Sequence, residues 1–434
     1  MDAKRVYGNT EGLKPICRLE TLAISGGAFS TRSIKRVGGA SLNLYRQGKQ
    51  ALFPTRLYSL KPPIAKGSGK PLLRRALLSY ITSPFMLLSD DPSNARFSNT
   101  GLARTISEVL HDLGYVVDVV EYNDTRFKPR HKYDLFIGHG GNNFELIARA
   151  LPRTCVKIYF STGSYWKFSN DLELARLAYL YQRRGVHLRP DRLITKSEEW
   201  ANANATGIIA LGSPYVRESY AKFPHVINVN NAMYQDSQYD VKRKDYARGQ
   251  NSFLFFAGAG NIHKGLDLLL DAFSSLDQQL YVCQTLSPEF ARVYNRELTE
   301  CANIHNVGHI SLRSQTFYDL VNTCNFAILP SCGEGQPGSV IDCMQYGIIP
   351  VLSKESNLDT DGFGVTLNEC TVEEIMSVVQ DLASRPIQWQ RDMAAKTRKI
   401  TLAEYSKDVF YRNFRRALLE ICERADARAQ TEAS

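Results

Sequence analysis

The sequence predicts an α/β chain of two Rossmann-like parallel-sheet domains, and three observations carry that reading. Short apolar runs alternate with stretches whose apolar residues recur at helical spacing, the pattern of βαβ units. Glycine-rich loops follow several of those runs, at Gly138–Asn143, Gly258–Gly265 and Pro330–Gly338. Ligands of open α/β sheets bind at that edge, beyond the carboxyl ends of the strands. The chain has 434 residues, enough for two domains with complete cores.

Residues 1–80 carry fifteen Lys+Arg against three Asp+Glu, or +12, so the remainder of a chain with net charge +9 carries −3. The segments GGAFS, RVGGASLN and KPPIAKGSGKP have loop composition, and Leu72–Ile81 reads as a short basic helix. A basic, partly ordered extension is expected. Its simplest role is a solvated arm. The sharper one is attraction to an anionic membrane surface, at roughly 1 kcal/mol per basic residue near lipid. The arm lacks interleaved aromatics, which argues against nucleic acid as a partner. No run approaches the length of a membrane span, and MDAKRVYGNTEG lacks the apolar core of a signal peptide. The nine cysteines form no CxxC; buried reduced thiols in a cytoplasmic protein, peripheral to the inner membrane face at most, are expected.

Residues 81–234 read as the first domain. A strand is expected at Phe85–Ser89, then a loop over Asp90–Thr100 and a helix over Leu102–Leu113. Further strands are expected at Tyr115–Val120, Tyr133–Ile137, Val156–Tyr159 and Gly207–Leu211. Three stretches are candidates to face a cleft. His139 lies among glycines directly after a strand. Ser161–Trp166 offers hydroxyls and aromatic rings to an acceptor. Arg183-Arg184-Gly185 closes a long helix, where cations stabilise the dipole and a structural role leads. The polar stretch 235–251 reads as a linker.

Residues 252–398 read as the second domain, with strands at Phe253–Ala257, Leu280–Cys283, Ile304–Val307, Phe326–Leu329, Ile349–Leu352 and Gly364–Leu367. A capping box, Thr371 with Glu374, opens a helix to Ser384. In residues 399–434, Phe410, Phe414, Leu418 and Ile421 share one helical face.

The densest chemistry is PSCGEGQPGSVIDCMQYG, residues 330–347. Strand, glycine loop, helix and strand follow one another. Pro337 suits a first helical turn, and Gly335 and Gly338 allow a ligand to approach the backbone. The N–H groups of Gly338 and Ser339 are then free for an anion. Glu334 and Asp342 flank that point, and Gln336 lies between them. Carboxylates cannot hold phosphate but can accept from hydroxyls on either side of it. Upstream, Gly258, Gly260, Lys264 and Gly265 occupy a second strand-to-helix loop. That loop is not a P-loop, because the positions needing a second glycine and a Mg²⁺-binding hydroxyl hold His263 and Gly265.

Together these residues resemble the donor half of a GT-B glycosyltransferase, of the retaining type with an E-x7-E motif (family 4-like, group 1). Gly258, Lys264 and Gly265 match that family's glycine–lysine loop, with Ala259 where an Arg is usual and Asp342 where the second Glu is usual. The resemblance implies a nucleotide-diphospho-sugar as co-substrate and hexosyl transfer with retention. The acceptor would be a glycan, a lipid-linked glycan or a small molecule. Lys264, Glu334 and His139 would be catalytic. Gly258, Gly260, Gly335, Gln336, Gly338, Ser339 and Asp342 would bind the donor, with Asp342 on the ribose. The resemblance also implies a terminal helix that crosses back to the first domain, and no metal. Asp359-Thr360-Asp361 mimics the DxD metal motif of another glycosyltransferase class, but lies in a loop after a sheet strand. Two alternatives share the fold: a non-catalytic sugar-nucleotide-binding protein and a sugar-nucleotide epimerase.

Overall fold

The computed structural model describes residues 57–60, 74–86, 97–241 and 244–433. The first lobe contains, in order, β1 (Tyr58–Leu60), β2 (Arg74–Tyr80), α1 (Asn99–Asp112), β3 (Tyr115–Glu121), β4 (Leu135–Gly138) and α2 (Gly141–Ala150). It continues with β5 (Val156–Ser161), α3 (Trp166–Arg184), α4 (Glu199–Asn204), β6 (Gly207–Leu211), α5 (Pro214–Ser219) and β7 (Val226–Val229). Its strand order is β1-β3-β2-β4-β5-β6-β7. Only β1 runs antiparallel to its neighbour.

The second lobe opens with β8 (Ser252–Phe256), α6 (Leu266–Phe273), β9 (Gln279–Cys283), α7 (Pro288–Val293), α8 (Asn295–Glu300), β10 (Ile304–Asn306) and α9 (Gln315–Thr323). Then come β11 (Phe326–Leu329), α10 (Gly338–Met344), β12 (Ile349–Ser353), β13 (Val365–Leu367), α11 (Val372–Ser384) and α12 (Ile387–Glu404). Its sheet, β10-β9-β8-β11-β12-β13, is parallel throughout. The long α13 (Lys407–Ala433) ends the chain.

These are α/β layers with helices on both faces of each sheet, as the alternation of runs requires. Thr371 caps α11 by accepting from the Glu374 N–H at 3.1 Å. The Glu374 carboxylate reaches back to the N–H groups of Asn368, Glu369 and Cys370, just short of the reciprocal bond that a capping box would make.

Two expectations in the first lobe need correction. Within the expected Leu72–Ile81 helix the described residues form β2 instead, paired on one side with β3 and on the other with β4. Ala76–Tyr80 are all buried, and a strand covered on both faces reads as one continuous apolar run, which periodicity cannot tell from a helix. The strand expected over Phe85–Ser89 begins instead in a single 3-10 turn, Ser83–Phe85, with Pro84 in it; residues 87–96 lie outside the described residues. The first sheet therefore starts within the basic segment. Arg75 pairs with the buried Asp118 at 2.7 Å, and Arg74 lies over the Tyr115 ring.

The stretch expected as a linker is folded onto the second lobe. Asp236 accepts from the hydroxyls of Tyr318 and Tyr346 at 2.7 and 2.9 Å. Lys244 donates to the carbonyls of Val321 and Cys324, both at 2.6 Å, at the end of α9. The lobes are joined at two adjacent crossings, where the Met233 N–H donates to the Tyr405 carbonyl at 2.8 Å and Met233 bridges Ser406. Helix α13 then returns to the first lobe. Phe410, Phe414, Leu418 and Ile421 enter that lobe's core, and Ile421 packs on Gly207, where a side chain would meet it at 2.8 Å.

Helix α3 reaches the other way. It belongs to the first lobe by sequence, yet Leu180 is buried in the core of the second. Arg183 pairs with Asp267 and Asp271 of α6, and Arg184 with Asp271 and Glu297. The Arg183-Arg184 pair thus fastens the lobes together and stays out of the cleft. Gly185 closes the helix in the left-handed region at φ 64°.

Candidate functional site

Between the two sheets lies a cleft of about 1040 Å³. The loops that follow β4 and β5 form one side, and those that follow β8 and β11 form the other. Of the residues singled out in the sequence, His139, Gly258, Lys264, Glu334, Gly335, Gln336, Gly338 and Ser339 all line it.

Lys264 is placed by a tight turn in which its N–H donates to the Gly260 carbonyl at 2.9 Å and that of Gly265 to Ile262 at 2.9 Å. Gly265 has φ 79°, and a side chain there would come 2.8 Å from the Pro330 ring; only glycine meets both demands. The Lys264 ammonium forms an ion pair with Glu334, both side chains being about one-tenth exposed. Ser331 donates to the same carboxylate oxygen at 2.7 Å. Burial opposes charge on Glu334, but Lys264 and His263 outweigh it and hold the carboxyl below its ordinary range.

His263 is a buried cation. Nε2 lies 2.6 Å from the Gly333 carbonyl and Nδ1 3.3 Å from the Glu173 carboxylate, so both nitrogens donate. Desolvation alone would discharge the ring. Contacts with Cys332 and Glu173 overcome it and raise the imidazolium to about 10. His139 is the opposite case. Its Nδ1 donates to the Phe160 carbonyl at 2.9 Å, burial lowers its pKa, and a neutral ring with an accepting Nε2 results.

The loop after β11 is clamped to the first lobe. The Gln336 side chain accepts from the Asn231 N–H at 2.6 Å and donates to Asn230 at 2.9 Å, which holds Gln336 at φ 58°. Both ends of its amide are therefore engaged by protein. The N–H groups of Val340 and Ile341 turn back to the Pro337 carbonyl.

Three expectations fail in this geometry. Asp342 is 2 % exposed and does not line the cleft, because it falls among Ile341, Cys343 and Met344 on the buried part of α10. Gly260 is also outside the lining; its φ of 105° serves the turn, and a side chain there would meet the Arg192 stem at 2.9 Å. In Ser161–Trp166 the first four residues reach the cleft, but Tyr165 packs inward against Tyr220 and Phe223, so no aromatic platform is presented there. Asp359-Thr360-Asp361 forms a turn in which the Asp359 carboxylate accepts from the Asp361 N–H at 2.9 Å. Among the described residues, no three His, Cys, Asp or Glu side chains are grouped to hold a metal.

Sequence reading missed Glu173, Arg192 and Glu198, none of which has a glycine motif or a distinctive spacing beside it. Glu173 accepts from the backbone N–H groups of Asp191 and Arg192, each at 2.9 Å, besides holding His263. Glu198 lines the cleft at 6 % exposure. Desolvation raises its carboxyl from 4.5 to about 7, against a smaller opposing effect of Tyr159. Between those two values the folded protein keeps a proton that the unfolded chain has released, so stability falls as pH rises through the window. Glu198→Gln should therefore unfold like wild type near pH 4.5 and be more stable by about 3 kcal/mol above pH 7. Denaturant titration at the two pH values checks this; an equal difference at both would show that Glu198 does not titrate there.

No family model matches the sequence, and no curated protein matches it. Solved structures do. A lipopolysaccharide outer core galactosyltransferase, WaaB, in its apo form aligns with TM-score 0.55 at 14 % identity, over 80 % of this chain and 99 % of its own. A sucrose-phosphate synthase from Thermosynechococcus elongatus aligns with TM-score 0.52 at 14 % identity, over 83 % and 100 %. HepE of Anabaena, in complex with UDP, aligns with TM-score 0.51 at 13 % identity, over 80 % and 100 %. The fold is GT-B. In a GT-B frame the cleft between the lobes is the place where strand ends of both sheets converge, and here it holds a buried ion pair, a buried imidazolium and a neutral imidazole within one cavity.

Proposed function

We propose that this protein is a retaining glycosyltransferase that uses a nucleotide-diphospho-sugar. The observation that supports the reading most strongly is the Lys264–Glu334 pair, set in the cleft of a GT-B fold on two glycine-rich loops. Solved GT-B neighbours include HepE with UDP, which makes a uridine donor the first to try. Lys264 neutralises charge that grows as the nucleoside diphosphate leaves, in a cleft where such a contact is strongest. Glu334 holds Lys264 ready in the free protein and turns to hydroxyls of the transferred sugar when the diphosphate takes its place. His139, neutral and accepting through Nε2, meets the sugar from the first lobe. The donor phosphate takes the acceptor's proton on the face from which it leaves, so no protein nucleophile and no metal are needed. The acceptor is a hydroxyl-bearing glycan, lipid-linked glycan or small molecule.

Incubation with a panel of nucleotide sugars, with and without excess EDTA, tests this reading. Donor breakdown or transfer, unchanged by chelator, is expected. Binding without turnover would indicate a non-catalytic binder and an epimerised donor an epimerase. Activity lost to EDTA and restored by Mg²⁺ or Mn²⁺ would overturn the metal-free mechanism.

Among the described residues no helix is long and apolar enough to cross a membrane. The proposed attraction of residues 1–80 to an anionic surface falls mostly outside the described residues. Where the segment is described, Arg74 and Arg75 are engaged in the sheet.

A further inference from the structure

The cations of the donor loop arrive with their own counter-charges. Lys264 is matched by Glu334 and His263 by Glu173. A diphosphate carries more than one negative charge, and two neutral pairs offer it little net attraction. Ala259, beside them, has no charge to add.

A cation that forms no close ion pair faces this loop from the segment after α3. Arg192 lines the cleft and is exposed; the neighbouring Asp191 carboxylate feels its charge, but among the described residues its guanidinium forms no close ion pair. Its stem lies against Gly260, where a side chain would come within 2.9 Å of Cγ and 3.2 Å of Cδ. The backbone beneath it is fixed. The N–H groups of Asp191 and Arg192 donate to Glu173, whose other oxygen faces His263. The Asp191 carboxylate accepts from the Asn261 N–H at 3.2 Å. The segment is thus tied to α3 on one side and to the glycine loop on the other, while the guanidinium is left free.

Resting on the nucleotide-sugar reading, we propose that Arg192 is the second cation of the diphosphate site, delivered across the cleft from the first lobe. A planar guanidinium suits two phosphate oxygens at once.

The test is calorimetric titration of the full chain with UDP and with uridine, which lacks the phosphates, for wild type, Arg192→Ala and Arg192→Lys. Wild type is expected to bind UDP more tightly than uridine. Arg192→Ala should weaken UDP about tenfold or more and leave uridine unchanged, and Arg192→Lys should fall between, keeping the charge and losing the fork. The residue is exposed, so unfolding temperatures should stay level and separate lost binding from lost folding. Equal UDP affinity in wild type and Arg192→Ala would overturn the proposal while leaving the donor reading standing. Absence of wild-type binding by UDP and by the nucleoside diphosphates of the other donors in the panel would remove both, and is seen without any variant.

Discussion

Lys264→Ala is expected to lower kcat by about 10²–10³ at saturating donor, with donor KM changed far less. On the proposed reading its ammonium acts on charge that grows as the diphosphate departs, and that increment appears in the rate more than in ground-state binding. The substitution also strips Glu334 of its nearest cation. Glu334 is held below its ordinary range largely by Lys264, so in the variant its carboxyl titrates higher and the remaining activity shifts to higher pH. Lys264→Arg should recover part of the rate, because the charge returns with altered reach. Steady-state kinetics over a pH series, with circular dichroism to confirm folding, measure all three effects. A folded Lys264→Ala protein with wild-type kcat would show that this loop does not act on the leaving group.

Gly335→Ala should nearly abolish donor binding. A methyl group at this position would overlap the Thr162 carbonyl and come 2.8 Å from the Gly163 nitrogen. Both obstacles are backbone, with no flexible side chain to move aside, so the two lobes must separate locally. Overpacking of this kind costs roughly 1–3 kcal/mol, or a fall of several degrees in Tm for a chain of this size. Separation also displaces the hydrogen bonds by which Gln336 grips Asn230 and Asn231. Calorimetric donor titration together with thermal unfolding checks the prediction. Wild-type donor affinity would mean that contact between these loops is not needed for the site.

Much of the second lobe was legible because each strand there is a short apolar run ended by glycine, proline or a polar cluster. Phe326–Leu329 and Ile349–Ser353 follow directly from that pattern. In the first lobe β2 was hidden, because Arg74 and Arg75 head a strand whose other five residues are buried and lend it the look of a basic helix. Loop chemistry made Lys264 and Glu334 visible, since glycines announce a close approach of backbone. Asp342 was misplaced because a two-turn helix leaves little room for error. One position along α10 separates the cleft residue Ser339 from the buried Val340. Glu173 and Arg192 lie far in sequence from the glycine loop after β8, and the docking of α3 on the second lobe brings them to it; Glu198 lies in the cleft with no motif beside it.

On the proposed function the cleft seats a diphosphate against Lys264 with a sugar between the lobes. A crystal structure of the full chain with UDP-glucose, or with whichever nucleotide sugar the panel selects, tests it most directly. Diphosphate oxygens are expected within hydrogen-bonding distance of the Lys264 ammonium, with the Lys264–Glu334 pair opened and Glu334 and His139 against the sugar. A bound nucleotide sugar whose diphosphate lies away from Lys264, with that ion pair intact, would contradict it.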